Sequence, residues 1–496
     1  MAFQITDVPL GVLERLYEHL DDKERANAKM SCKHLNAVRL VRVRVLPSRS
    51  MGWWPFTPPP GAFQKMSAGL EAALRGSRGA QELFIEKPVV LLNVGKRAPH
   101  LLNQLKTLHV DEIAFLPSAL AELALPSLER VVVEGKMHTY SSRYHSSSTP
   151  MDWSQEDILR EAAVAKDPRV SFRRASINID EHTTEGHMDY ADAFWSAFGG
   201  RVLERLGVVL EGTPSAAIME RVAALLERTR AAGLRVDKLS LVNRTQVDRG
   251  ILARIASTLR DVGASSVSIG GDDAFVAAVP SNVRTVYIRR HERMVQSDGN
   301  MFCALERALE GRDASPLHLC INGTLSSPNA ANYDALARLM RHVTRFDVGD
   351  GDKDDYLPAI VDDDYFFLLE AADVLETLSL ANISPSAVIA TFDADACRAP
   401  ALRRVALMVT LFDPDDFKHR GMAMTAMAEA LASSLPALKE LEVHVWCLPS
   451  EEFEPIRQRF ADVLGQGVRV TVEAAHGKAP RFFSLPFFDD SVGEFY

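Results

Sequence analysis

A chain of 496 residues is too long for one compact core at about 150 residues per domain, which predicts roughly three domains or one long array of repeats. Hydrophobic residues at 47% and charged residues at 25% exclude wholesale disorder. A formal net charge of −10 excludes a dedicated nucleic-acid binder with an overall positive field. Cys32, Cys303, Cys320, Cys397 and Cys447 include no CxxC pair, so neither a zinc ligand set nor a disulfide framework is expected. The start of the chain lacks a basic segment followed by an apolar run, and no stretch offers about 18 uninterrupted apolar residues. The expectation is a cytoplasmic or nuclear protein with neither membrane nor nucleic acid as a partner.

The first predicted element is a short amphipathic helix over Val8 to Leu20, with Asp7 as N-cap, Pro9 in its first turn and an apolar stripe of Val12, Leu13, Leu16, Tyr17 and Leu20. A second helical stretch, Asp22 to Val38, carries Cys32 and Lys33. Val8-Pro9, Val12-Leu13, Leu16-Tyr17, Leu20 and Cys32-Lys33 together resemble an F-box over residues 5 to 45. The departures are Gly11 where Glu is usual, Arg25 for Leu, Ser31 for Val and Leu35 for Trp. The resemblance implies that Pro9, Leu13, Leu16, Tyr17 and Leu20 contribute to a surface for a Skp-type adaptor, and through it a cullin. A plain helical cap shielding the first repeat is the alternative.

From Val41 onward a six-residue pattern recurs: apolar, two variable, apolar, variable, apolar. Clear copies are Leu105 to Val110, Leu128 to Val133, Leu203 to Val208, Val283 to Ile288, Val343 to Val348, Leu375 to Leu380, Leu402 to Leu407 and Leu438 to Val443. Weaker ones centre on Val41, Leu83, Ile177, Leu239, Val267, Leu317 and Val468. The alternation at the end of each copy predicts a strand. Helical periodicity lies between copies: Phe63, Met66, Leu70 and Leu74, then Ile251, Leu252, Ile255 and Leu259, then Tyr333, Leu336, Leu339 and Met340. Such units can bury both apolar faces only by stacking. Asn243, Asn322 and Asn382 follow the last strand apolar.

Residues 81 to 473 resemble a leucine-rich repeat array of the ribonuclease-inhibitor-like kind. The expected fold class is α/β: an N-terminal helical F-box-like domain over 1–45, then a solenoid over 46–496 with a parallel sheet on the concave face and helices on the convex face. An insertion is expected at about 134–172, within which Met137 to Pro150 is rich in Ser and His. The rival is a doubly wound α/β fold. Parallel stacking would align the variable strand positions, so Tyr287, His318, Asp347 and Glu442, with Arg345 and Arg404 from the preceding variable position, are the expected protein-substrate contacts.

Chemistry within the chain is not expected. His182, Glu185 and His187 lack HExxH spacing, and the Asp347 to Asp364 stretch has Asp355 where a calcium loop needs Gly. Gly270-Gly271 lacks the lysine and further glycines of a phosphate loop. Trp53 and Trp54 are expected to pack against the first repeats. The function these readings imply is a non-enzymatic substrate-recognition subunit of a Skp-cullin-F-box-type E3 ubiquitin ligase, without cofactor or metal. The alternative is a leucine-rich repeat interaction scaffold.

Overall fold

The structure, a computed structural model, describes residues 42–44, 62–77, 79–85, 88–110, 116–133, 163–164, 166–196, 201–245, 247–271, 273–289, 300–312, 316–322, 330–349, 369, 372–393, 399–409, 420–445 and 450–474. The chain divides into two compact units, residues 1–207 with 213–234, and residues 208–212 with 235–496. The first unit contains β1 (Arg42–Arg44), α1 (Ala62–Ser77), β2 (Glu82–Ile85), α2 (Pro88–Arg97), β3 (Thr107–Val110), α3 (Leu116–Glu122), β4 (Arg130–Val133) and β5 (Val170–Phe172). It continues with β6 (Arg174–Ile179), α4 (Glu185–Trp195), most of β7 (Val202–Gly212) and α5 (Ala216–Ala231). Strands β1 to β5 form a parallel sheet in sequence order. Consecutive helices α1, α2 and α3 touch, as do α4 and α5.

The second unit runs β8 (Arg235–Thr245), α6 (Arg249–Arg260), β9 (Ser266–Gly271), a 3-10 turn (Asp273–Ala278), β10 (Thr285–Arg289), α7 (Met301–Ala308), β11 (Leu317–Asn322) and α8 (Ala330–Met340). Then come β12 (Val343–Gly349), β13 (Thr377–Ile383), α9 (Pro385–Asp393), β14 (Arg404–Val409), α10 (Arg420–Ser434), β15 (Glu440–Val445), α11 (Phe453–Leu464) and β16 (Arg469–Ala474). Each strand from β8 to β16 pairs in parallel with the next in sequence. A doubly wound sheet reverses its strand order at a switch point; no reversal occurs among these pairs. The 3-10 turn touches both α6 and α7, α7 touches α8, and α10 touches α9 and α11, so successive helices pack side by side rather than on alternate faces of the sheet. This one-way winding is compatible with a solenoid.

The junctions explain the winding. Eight of the sixteen described strands are entered through a turn in which the first apolar residue donates its N–H to the carbonyl three residues back, as in Leu128 to Leu125, Leu402 to Ala399 and Leu438 to Leu435, each at 3.1 Å. Pro126, Pro400 and Pro436 occupy the second turn position, where their fixed φ suits the bend. Immediately afterwards one carbonyl accepts two N–H groups of the next unit. Gln81 accepts from Lys106 and Thr107, Ser265 from Arg284 and Thr285, Glu376 from Arg403 and Arg404, and Arg403 from Lys439 and Glu440. After several helices the chain turns back through a glycine with positive φ, at Gly233, Gly263, Gly311 and Gly465, the conformation that glycine adopts without steric cost.

Each predicted copy of the pattern falls on or directly beside a strand. One strand, β5, was not expected. The expected insertion at 134–172 therefore ends before Val170, which pairs with Val131 of β4. The expected single array is also interrupted, because β5 closes the first sheet and β6 opens another after one residue, Arg173. The Arg173 N–H donates to Val133 of β4 while its carbonyl accepts from Arg205 of β7, each at 3.0 Å. Apolar parity slips at this point: Val170 and Phe172 are buried on one side of Arg173, Ala175, Ile177 and Ile179 on the other. Residues 1–41, with the whole adaptor stripe, lie outside the described residues, as do Trp53 and Trp54.

The three expected helices are present as α1, α6 and α8, with Leu70, Leu74, Ile255, Leu259, Leu336 and Met340 buried. On the strands, Leu378, Leu380, Val405, Leu407, Leu441 and Val443 are buried. Leu378→Ala and Leu441→Ala should each lower stability by about 2 to 5 kcal/mol, through lost apolar burial and the cavity left behind. Thr377→Ala and Glu440→Ala should change it far less, a contrast that urea titration of the four variants measures.

Candidate protein-binding face

In a strand, alternate side chains point to opposite faces, so the residues between the buried apolars share the face away from the core. The pairing places them in two rows. One row reads Thr285, His318, Arg345, Thr377, Arg404, Glu440, Arg469; the other reads Tyr287, Cys320, Asp347, Ser379, Ala406, Glu442, Thr471. All six expected contact residues therefore lie on one face. His318 sits in the first row rather than beside Tyr287 and Asp347, where it was expected. The alternation of Leu317, Leu319 and Ile321 fits two registers, and pairing with Arg345 selects the later one. Cys320 takes the vacated place in the second row.

The second row is a polar framework rather than an open surface. Asp347 is fully buried, and its Oδ2 accepts from His318 Nε2 at 2.6 Å and Arg345 Nε at 2.9 Å. A buried carboxylate needs such charge-assisted partners, and Arg345 supplies the compensating charge. Tyr287 is only 4% exposed and packs against Cys320. Expected as contact residues, Tyr287 and Asp347 are thus covered, one by packing and the other by its hydrogen-bonding partners. Glu442 holds His444 Nε2 at 2.6 Å, and His444 is buried.

The first row is different. Arg404 and Arg469 keep 60% and 74% of their side chains exposed, and both flank Glu440, whose oxygens lie 3.5 Å from Arg404 Nε and 2.6 Å from Arg469 Nη2. Arg345 is 34% exposed. Glu440, Arg469, Cys320, Ser379 and His444 were not predicted, although the first four occupy the same places in their copies as residues that were.

Nucleophilic chemistry finds no support on this face. Burial pushes the Cys320 thiol well above the ordinary thiol range, the Asp347 carboxylate adds to the shift, and Arg345 opposes it. The neutral thiol that results is a poor nucleophile. Elsewhere, Thr184 caps α4 by accepting the His187 N–H, while His187 Nδ1 accepts the Thr184 N–H at 3.0 Å. Glu185 pairs with Arg221. The His182 to His187 stretch therefore builds a helix start. Asn243 is buried and its Oδ1 accepts from the Thr245 N–H at 3.3 Å and the Thr245 hydroxyl at 2.8 Å, at the end of β8. Among the described residues no group of three His, Cys, Asp or Glu could hold a metal, and no helix is long and apolar enough to cross a membrane. The acidic residues 350–364, Cys32, Cys397 and Cys447 lie outside the described residues.

No protein-family model matches the chain, and no curated protein aligns with it significantly.

Two outcomes separate framework from surface. Asp347→Ala should cost roughly 1 to 3 kcal/mol by removing charge-assisted hydrogen bonds in a buried place, whereas Arg404→Ala should stay within about 0.5 kcal/mol of the parent in the same denaturation assay. Mass-spectrometric mapping after brief iodoacetamide treatment of native protein should find Cys320 unmodified, and alkylated only once urea unfolds the chain.

Proposed function

We propose that the chain is the substrate-recognition subunit of a Skp-cullin-F-box-type E3 ubiquitin ligase, with a leucine-rich repeat array as its receptor. The observation that carries this reading is the run Val8-Pro9, Val12-Leu13, Leu16-Tyr17, Leu20 and Cys32-Lys33, directly before the first strand of a parallel stack. In that reading Pro9, Leu13, Leu16, Tyr17 and Leu20 face a Skp-type adaptor. The strand face carrying Arg345, Arg404 and Glu442 receives a protein substrate. The ligation chemistry belongs to bound partners, and the chain itself needs no catalytic residue.

The stacking also favours a second reading. Strand β1 pairs with β2 immediately after the N-terminal segment, and an array whose units contact only their neighbours needs its first edge covered. Residues 1–41 would then be a cap, and the chain a binding scaffold outside any ligase.

Affinity purification from a eukaryotic lysate distinguishes the two. Full-length protein should retain a Skp-type adaptor, and Leu13→Asp, which puts a charge on the apolar stripe, should abolish capture while leaving the thermal melt of the array unchanged. Absence of adaptor from the full-length eluate, or capture by Leu13→Asp equal to the parent, refutes the ligase reading and leaves the scaffold.

A further inference from the structure

The exposed row on the binding face carries a spacing that selects its ligand. Arg345, Arg404 and Arg469 stand at one level on β12, β14 and β16, linked through the pairs Arg345↔Thr377, Thr377↔Arg404, Arg404↔Glu440 and Glu440↔Arg469. Neighbouring strands lie about 4.8 Å apart, so successive arginines of this ladder are about 9.6 Å apart. A polypeptide in the extended polyproline II form advances about 3.1 Å per residue with three residues per turn, which returns every third side chain to the same side at nearly the same interval, about 9.3 Å.

Charge agrees with spacing. Glu440 is shared between Arg404 and Arg469, and one carboxylate between two guanidinium groups leaves that trio positive. Exposed Arg403 and Lys439 stand at the same rim; with Arg345 committed to Asp347, four basic residues, Arg403, Arg404, Lys439 and Arg469, face two acidic ones, Glu376 and Glu440. On a chain of net charge −10 this is a local reversal of sign. In the neighbouring row Asp347 is balanced by Arg345, and Glu442 is hydrogen-bonded to the buried His444.

We propose that this rim binds an extended acidic segment of a partner protein, laid across β14 to β16 with carboxylates three residues apart against Arg404 and Arg469. The inference deepens the receptor reading by naming the chemistry of what is received. It holds equally for the scaffold. Arginine suits the task because its planar fork meets a carboxylate with two parallel hydrogen bonds. A nucleic-acid backbone fits less well, since its continuous negative charge would also meet Glu376 and Glu440, and the chain as a whole repels it.

The test uses full-length protein and fluorescence anisotropy with three labelled probes. One is a twelve-residue peptide of Glu, Ser, Gly and Val with Glu at every third position; the second has the same composition with its glutamates consecutive; the third is a twelve-nucleotide single-stranded DNA. The spaced peptide should bind about fivefold or more tighter than the clustered one, and the double variant Arg404→Ala, Arg469→Ala should weaken it about tenfold or more. The double variant Arg404→Lys, Arg469→Lys keeps the charge and should fall between, and all variants should melt with the parent. Equal affinity for the two peptides, binding indifferent to the alanine pair, or tighter binding of the DNA overturns the proposal. Adaptor capture, measured on the same preparations, fails or succeeds separately: peptide binding without adaptor sinks only the ligase reading, and adaptor without peptide binding sinks only the acidic-segment inference.

Discussion

The carbonyl of Glu376 accepts the N–H groups of both Arg403 and Arg404, and that of Arg403 accepts those of Lys439 and Glu440. This fork passes one strand's register to the next through backbone atoms alone, so the identity of the side chains at the joint is free to vary. What it fixes is level. Once two strands are locked at their entry, every later position on them is aligned, the apolars against the helix layer and the variable residues into rows. The turn that precedes the fork contributes the direction, with proline pre-setting the bend in several units. Segments between joints differ in length because loop closure grows only slowly more costly as a loop lengthens. An irregular spacing in sequence is therefore consistent with a regular ladder in space.

The legible part of this fold was the part with a period. Alternation such as Leu378, Leu380 and the stripe Ile251, Leu252, Ile255, Leu259 reports burial directly, since one face of each element must be apolar. The turns Leu125-Pro126-Ser127-Leu128 and Leu435-Pro436-Ala437-Leu438 are equally present in the sequence and carry as clear a signal, but they lie ahead of the six-residue pattern itself. Strand β5 escaped because three residues are too few for a period to stand out. His318 was misplaced for a related reason: period-2 alternation is blind to a shift of two, and only pairing with a neighbour resolves it.

Exposure was the least legible property. Tyr287 and Asp347 occupy variable positions, and alternation identifies the face on which they stand. Whether a residue on that face is open depends on what its neighbours do with it. Asp347 is a case in which Arg345 and His318, themselves on the same face, consume the carboxylate. Rows in a parallel stack thus sort by partner: where opposite charges meet at adjacent levels the result is a rigid support, and where like charges repeat every second strand the result is a surface with spare charge. The two rows here show both outcomes a few ångströms apart.

Arg173 carries a different kind of consequence. Its N–H serves β4 in one sheet and its carbonyl serves β7 in another, so the two ladders meet at a single residue and without a linker. The apolar residues before it are even-numbered and those after it odd-numbered, Val170 and Phe172 against Ala175, Ile177 and Ile179. Removing one codon at this point would bring all five into phase and turn the stretch into an ordinary alternating strand. Sidedness in a parallel stack is thereby a reading frame of its own, in which a one-residue indel acts as a frameshift and supplies the shortest route by which one sheet can become two.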